Sequence, residues 1–235
     1  MDILISKKEI RLNELYVPNT LTLKDITQMI ARDKYYSYYQ TVKAKNKMIE
    51  DDIHHGVPMM NQIFYSRFAY CRNMSYQFFL NEYKRMHCVR LPDGKMTFKS
   101  KEPRYQYIFY EKELDGKLLR AYMSFLKELF VLYSLIEMGC DVQYDSKDDT
   151  KNGFDLTLYN QYGHHYGIRI FADTDKAKKF AEIKERVRHN YTYTSIAMQA
   201  KMAKCIIGDT YVFTQDQMKA LHNHILSNSN ENLIL

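Results

Sequence analysis

The sequence predicts an α+β protein: a mixed sheet flanked by helices in the C-terminal part, preceded by a mainly helical region that carries a β-hairpin. Three observations carry this. Residues 118–138, LLRAYMSFLKELFVLYSLIEM, are apolar on nearly every face, the pattern of a buried helix. Residues 152–171, NGFDLTLYNQYGHHYGIRIF, alternate apolar and polar on both sides of a turn at Asn160–Gly163, as two paired strands do. Residues 172–189, ADTDKAKKFAEIKERVRH, return to helical spacing, with an apolar stripe of Ala177, Phe180, Ala181, Ile183 and Val187.

The N-terminal part reads as helical. Thr22 is a suitable N-cap for a helix running to about Arg32. More helix is expected through 34–52 and 57–85, with Gly56–Pro58 between them. The segment 86–111 changes character. HCVRLPDGKMTF places apolar residues on either side of Pro92–Asp93–Gly94 and reads as a β-hairpin, and RYQYIFYEK continues as a strand. ELDGK at 113–117 looks like a linker or turn.

The buried helix follows, with Gly139 as its C-cap. A short strand is expected at Cys140–Tyr144, an exposed loop after it, and then strands 154–160 and 164–171. The basic helix is capped by Asp173 or Thr174. Past a polar-aromatic stretch, KCIIGDTYVFT reads as another strand or strand pair, QDQMKALHNHIL as a last helix and SNSNENLIL as a tail. The order helix, three strands, helix, strand, helix suits a mixed sheet covered by helices, an α/β-like core. The expected division is 1–113 for the helical region with its hairpin, 114–228 for the core and 229–235 for the tail.

Composition narrows the function classes. With 46% hydrophobic and 26% charged residues, the 235-residue chain can bury a core. No apolar run reaches the length of a membrane span, and MDILISKKEI lacks the apolar stretch of a signal peptide, so a cytoplasmic protein is expected. The four cysteines, Cys71, Cys88, Cys140 and Cys205, form no Cys-x-x-Cys pair and are expected as reduced thiols. A net charge of +6 is compatible with DNA. The Lys, Asn, Tyr and Ile content fits an AT-rich genome, which suggests a phage or mobile-element setting.

The strands 154–160 and 164–171 carry the chemistry. Asp155 opens the first, and alternation puts His165, Gly167 and Arg169 on one face of the second. Glu128 sits on the buried helix, eleven residues before Gly139. This succession resembles the core of the PD-(D/E)XK nuclease superfamily, the restriction-endonuclease-like fold, over about residues 118–226. The resemblance implies a Glu on the first helix, here Glu128, and an Asp at the start of the second strand, here Asp155. It implies a Glu-x-Lys on the third strand, where this chain has Gly167–Ile168–Arg169. Arg169 can stand where the Lys stands; Gly167 supplies no carboxylate. In the family the acids hold magnesium, so Asp155 and Glu128 are the candidate metal ligands. Catalysis would fall to Glu128, Asp155 and Arg169.

Magnesium takes oxygen ligands, and losing one of two or three carboxylates weakens such a site. Arginine binds phosphate bidentately and is a poor base. The expectation is therefore a DNA-associated protein with a catalytically degenerate nuclease-like core that grips the phosphate backbone. The basic helix face, Lys176, Lys178, Lys179, Lys184, Arg186 and Arg188, would add phosphate contacts. The N-terminal helices and the 86–111 hairpin would contribute specificity or a partner surface. Two alternatives stand beside it. One is an active magnesium-dependent endonuclease in which Asp173 or Asp175 replaces the missing acid. The other is a protein-interaction or assembly factor, homo-oligomeric or with a protein partner, whose sheet is scaffold alone. Structural readings compete at each residue: Glu128 as a helix ion-pair residue, Asp155 as a strand-start residue, Arg169 as a salt-bridge partner.

Overall fold

The structure is a computed structural model that describes residues 10–12, 15–17, 21–32, 47–50, 56–61, 63–65, 75–143, 154–172, 194–200, 206–207, 210–227, 231 and 233–235. Its elements are β1 (Ile10–Leu12), β2 (Leu15–Val17), α1 (Leu23–Arg32), α2 (Lys47–Glu50), α3 (Tyr76–His87), β3 (Cys88–Arg90), β4 (Met96–Phe98), β5 (Ile108–Phe109), α4 (Glu111–Glu137), β6 (Asp141–Gln143), β7 (Leu156–Tyr159), β8 (His165–Ala172), β9 (Thr194–Ala200), β10 (Ile206–Ile207), β11 (Thr210–Tyr211), α5 (Gln215–Leu226) and β12 (Leu233–Ile234). The fold is α+β, with a mixed sheet and flanking helices. Among the described residues no helix is long and apolar enough to cross a membrane. The chain divides into two compact units, Met1–Gln28 with Leu126–Leu235, and Met29–Phe125.

The Met29–Phe125 unit is built on aromatic packing. Phe64, Phe79, Tyr122 and Phe125 meet with ring centroids 4.8–6.3 Å apart, in edge and tilted arrangements and one stack. Such pairs contribute beyond the area they bury. Ser75 caps α3 by accepting from the Phe78 N–H. The small sheet β3–β4–β5 is antiparallel, with Cys88, Met96, Phe98 and Phe109 turned inward. The turn at Pro92–Asp93–Gly94 forms as the sequence predicts, with Gly94 at φ 81°.

Two readings in this region are corrected. RYQYIFYEK is not a continuous strand: Pro103–Tyr105 is a 3-10 turn and the strand is Ile108–Phe109. ELDGK is not a linker but lies inside α4. Gly116 weakens a helix in isolation. Here Leu114 and Leu118 on either side are fully buried, and Asp115 is tied to Lys84 at 2.5 Å, so packing overrides propensity.

In the other unit, β12–β9–β8–β7–β6 form one sheet. β6, β7 and β8 are a meander of antiparallel neighbours, while β9 runs parallel to β8 and β12 parallel to β9. Parallel neighbours need a crossover connection; here it is residues 173–193, which lie outside the described residues. One sheet face is a continuous apolar layer of Leu156, Leu158, Tyr166, Ile168, Ile170, Ile196 and Met198, all buried. α4 ends as expected at Gly139, at φ 87°. The Gly139 N–H donates to Ile136 and the Cys140 N–H to Leu135, the two bonds of a Schellman motif. α5 begins in a capping box between Thr214 and Gln217.

Four strands depart from the sequence reading. β1 and β2 form a hairpin in a region read as helical. β9 occupies the stretch read as polar-aromatic: Ile196 and Met198 are buried on one face while Ser195 and Ala197 alternate on the other. The tail contributes β12.

Candidate functional site

The meander determines which side chains share a face. Leu156 pairs with Ile168 and Thr157 with Gly167; across the sheet Gly167 pairs with Ser195 and Arg169 with Ala197. Directly paired residues project to the same side. Thr157, Gly167 and Ser195 therefore form one buried row, with Arg169 two residues further along β8.

Arg169 is half-buried. Its guanidinium donates to the Ser195 hydroxyl at 2.7 Å and lies 5.9 Å from the centre of the Phe154 ring. Asp155 is half-buried just before β7. Its own N–H donates to the Ile168 carbonyl at 2.9 Å, and its carboxylate accepts from the Ile170 N–H at 2.5 Å. The carboxylate thus takes the place of a backbone carbonyl at the end of the β7–β8 ladder. Strands disfavour aspartate, and this bond gives a structural reason for its presence.

Phe154 is the residue that the sequence reading missed. Its ring is 1% exposed and covers Gly167. A Cβ built on Gly167 would stand 2.5 Å from three atoms of that ring. A side chain of any kind at 167, a carboxylate included, would meet that aromatic ring. A signal existed in the sequence: a glycine inside a strand marks close approach by another group.

Glu128 lies on α4 and is 8% exposed, among Leu126, Leu129 and Val131. Neighbouring Lys127 is half-buried, and burial pulls its amine below the usual lysine range. Hydrogen bonds join Arg169 to Ser195 and Asp155 to Ile170. No three His, Cys, Asp or Glu side chains gather at one place among the described residues. The structure thus brings Asp155 and Arg169 to one corner of the sheet and places Glu128 on α4. Lys176, Lys178, Lys179, Lys184, Arg186 and Arg188, and the substitute acids Asp173 and Asp175, lie outside the described residues.

Chemically, this corner holds a guanidinium braced by a hydroxyl and an aromatic ring, beside a carboxylate already committed to a backbone N–H. A guanidinium carries N–H donors in the fork geometry that phosphate accepts. The corner offers a hard cation one carboxylate from Asp155 and none from residue 167. No family model, curated protein or solved structure matches the chain.

Proposed function

We propose that the protein is DNA-associated and that its C-terminal unit is a nuclease-like core, related to the PD-(D/E)XK pattern, that holds the phosphate backbone without cutting it. The observation that carries this reading is the Phe154 ring over Gly167, beside the Arg169 guanidinium. A carboxylate at 167 would need the space of the ring. Metal-assisted cleavage requires a cation that both generates the nucleophile and neutralises developing charge. Arg169 in place of lysine keeps a permanent positive charge, which suits grip better than proton transfer. The net charge of +6 and the basic run between Lys176 and Arg188 favour the same partner.

The test uses labelled duplex DNA and the full chain. The reading expects binding that weakens steeply with salt, and no cleavage with magnesium or manganese. Cation-dependent nicking that disappears in Asp155→Ala would overturn the degenerate reading in favour of an active endonuclease. Absence of duplex binding at low salt would overturn the DNA reading itself and favour an assembly factor.

A further inference from the structure

The outer face of the small sheet β3–β4–β5 carries an apolar patch in a basic setting. Cys88, Met96, Phe98 and Phe109 turn inward, so alternation turns the residues between them outward. Val89 pairs with Thr97 and Thr97 with Ile108, which makes a row of three across the sheet. Past the end of β5, Tyr110 meets Lys95, whose amine stands 5.9 Å from the centre of the tyrosine ring. Val89 is 44% exposed, Ile108 55% and Tyr110 56%. The outward side of an antiparallel sheet is ordinarily polar. Here apolar side chains occupy it, and an exposed apolar patch with a polar rim marks an interaction site.

The charge around the patch selects the partner. Residues 88–110 hold five Lys or Arg and two acids, and thus half of the chain's net charge of +6. Both acids are already paired, Asp93 with Lys95 at 3.0 Å and Glu102 with Arg104 at 2.9 Å. Lys99, just past β4, donates to the Arg85 carbonyl at 2.6 Å, which leaves its charge in place. Lys101 is exposed two residues further on. This surroundings suits a polyanion.

A second copy of the chain on the same face would set these lysines against each other. The patch is also far smaller than the roughly 20–30 residues a side of a stable protein interface. A duplex would offer phosphates to the lysines but keep its base faces in its own stack, leaving Val89, Ile108 and Tyr110 in water. Unpaired bases meet both needs: flat faces for the apolar row and the tyrosine ring, and a phosphate on every unit for the lysines. We propose that the outer face of β3–β4–β5 binds single-stranded nucleic acid, with bases on Ile108 and Tyr110 and backbone phosphate at Lys99 and Lys101. The proposal rests on the Met29–Phe125 unit alone and is independent of the Asp155–Arg169 corner.

The experiment is fluorescence anisotropy of the full chain with a labelled oligothymidylate of about 12 nucleotides and with a duplex of the same length. The parent protein is expected to bind the single strand at low salt. Tyr110→Ala is expected to weaken that binding by about tenfold, while Tyr110→Phe stays within about twofold. Ile108→Thr, which keeps a β-branched residue in the strand, is expected to weaken it as well. Lys99→Gln should make the slope of log affinity against log salt shallower by about 0.7. Duplex binding by Tyr110→Ala should match the parent's, so this proposal and the duplex reading fail separately. Absence of single-strand binding at low salt overturns the proposal, as does parent-like binding by either Tyr110→Ala or Ile108→Thr. Equal weakening of duplex and single strand in Tyr110→Ala overturns the stacking of unpaired bases. Polyglutamate that binds as tightly as the oligothymidylate, with the same loss in Tyr110→Ala, overturns it in favour of an acidic peptide.

Discussion

The Gly167–Phe154 contact makes a prediction with a definite sign. In a strand interior, glycine is less stable than alanine by about 0.5–1 kcal/mol, because it loses more backbone freedom on folding and packs no side chain. At an unobstructed position, Gly167→Ala would therefore stabilise the protein by about that amount. Here the new methyl would sit 2.5 Å from three atoms of a buried ring. Either the ring or the strand must move, and overpacking of this kind costs about 1–3 kcal/mol. The expected net effect is destabilisation by about 1–2 kcal/mol once the backbone gain is set against the overpacking cost. Phe154→Ala alone should cost about 3–5 kcal/mol, as for other buried phenylalanines. In the Phe154→Ala background the obstruction is gone, and Gly167→Ala should become neutral or stabilising. Urea unfolding of the four proteins gives the coupling energy directly, and it should favour the double variant by about 1–3 kcal/mol. A Gly167→Ala protein as stable as the parent, or more stable, refutes the contact and with it the argument that no carboxylate fits at 167.

Further outcomes follow from other contacts. Asp155→Ala removes the acceptor of the Ile170 N–H and should cost about 1–3 kcal/mol in thermal or urea unfolding, the penalty for a partly buried donor left unmet; an unchanged midpoint contradicts the ladder-end role. Thr214→Ala breaks the α5 capping box and should cost about 1 kcal/mol, read by the same method. Burial pushes the Cys88 thiol up to about 12 and the Cys140 thiol up to about 11. The unfolded chain releases these protons near pH 9 while the folded chain retains them. Stability should therefore fall as pH rises from about 9 towards 12, and Cys88→Ala should flatten that decline. The same shifts should make alkylation of both thiols slow at pH 7; rapid labelling of the folded protein contradicts them.

How much was legible in the sequence depended on whether the signal was local. The helix before Gly139, the turn at Asn160–Gly163 and the strands around it were readable because alternation, a left-handed glycine and an Asn side chain all act within a few residues. β9 was not, because Thr194–Ala200 carries small and polar residues on the face shared with Gly167 and Arg169, and its strand character comes from pairing with β8. ELDGK was misread because Gly116 suggests a break, and only the burial around Leu114 and Leu118 overrules it. At the site, residue type and spacing pointed to Asp155 and Arg169, which the structure brings to one corner of the sheet. Phe154 was hidden because its neighbour is fixed by the bend before β7 and not by alternation along the strand. Glu128 was picked out by residue type on a helix, and the structure buries it on α4, a burial set by packing across the core and not by local pattern.

The most direct test of the central claim is the salt dependence of duplex binding by the parent protein and Arg169→Ala. If Arg169 contacts a backbone phosphate, the variant should bind more weakly on all sequences, and its slope of log affinity against log salt should be shallower by about one. An Arg169→Ala protein that folds normally and binds duplex with the parent's affinity and slope would contradict the assignment of this corner to phosphate.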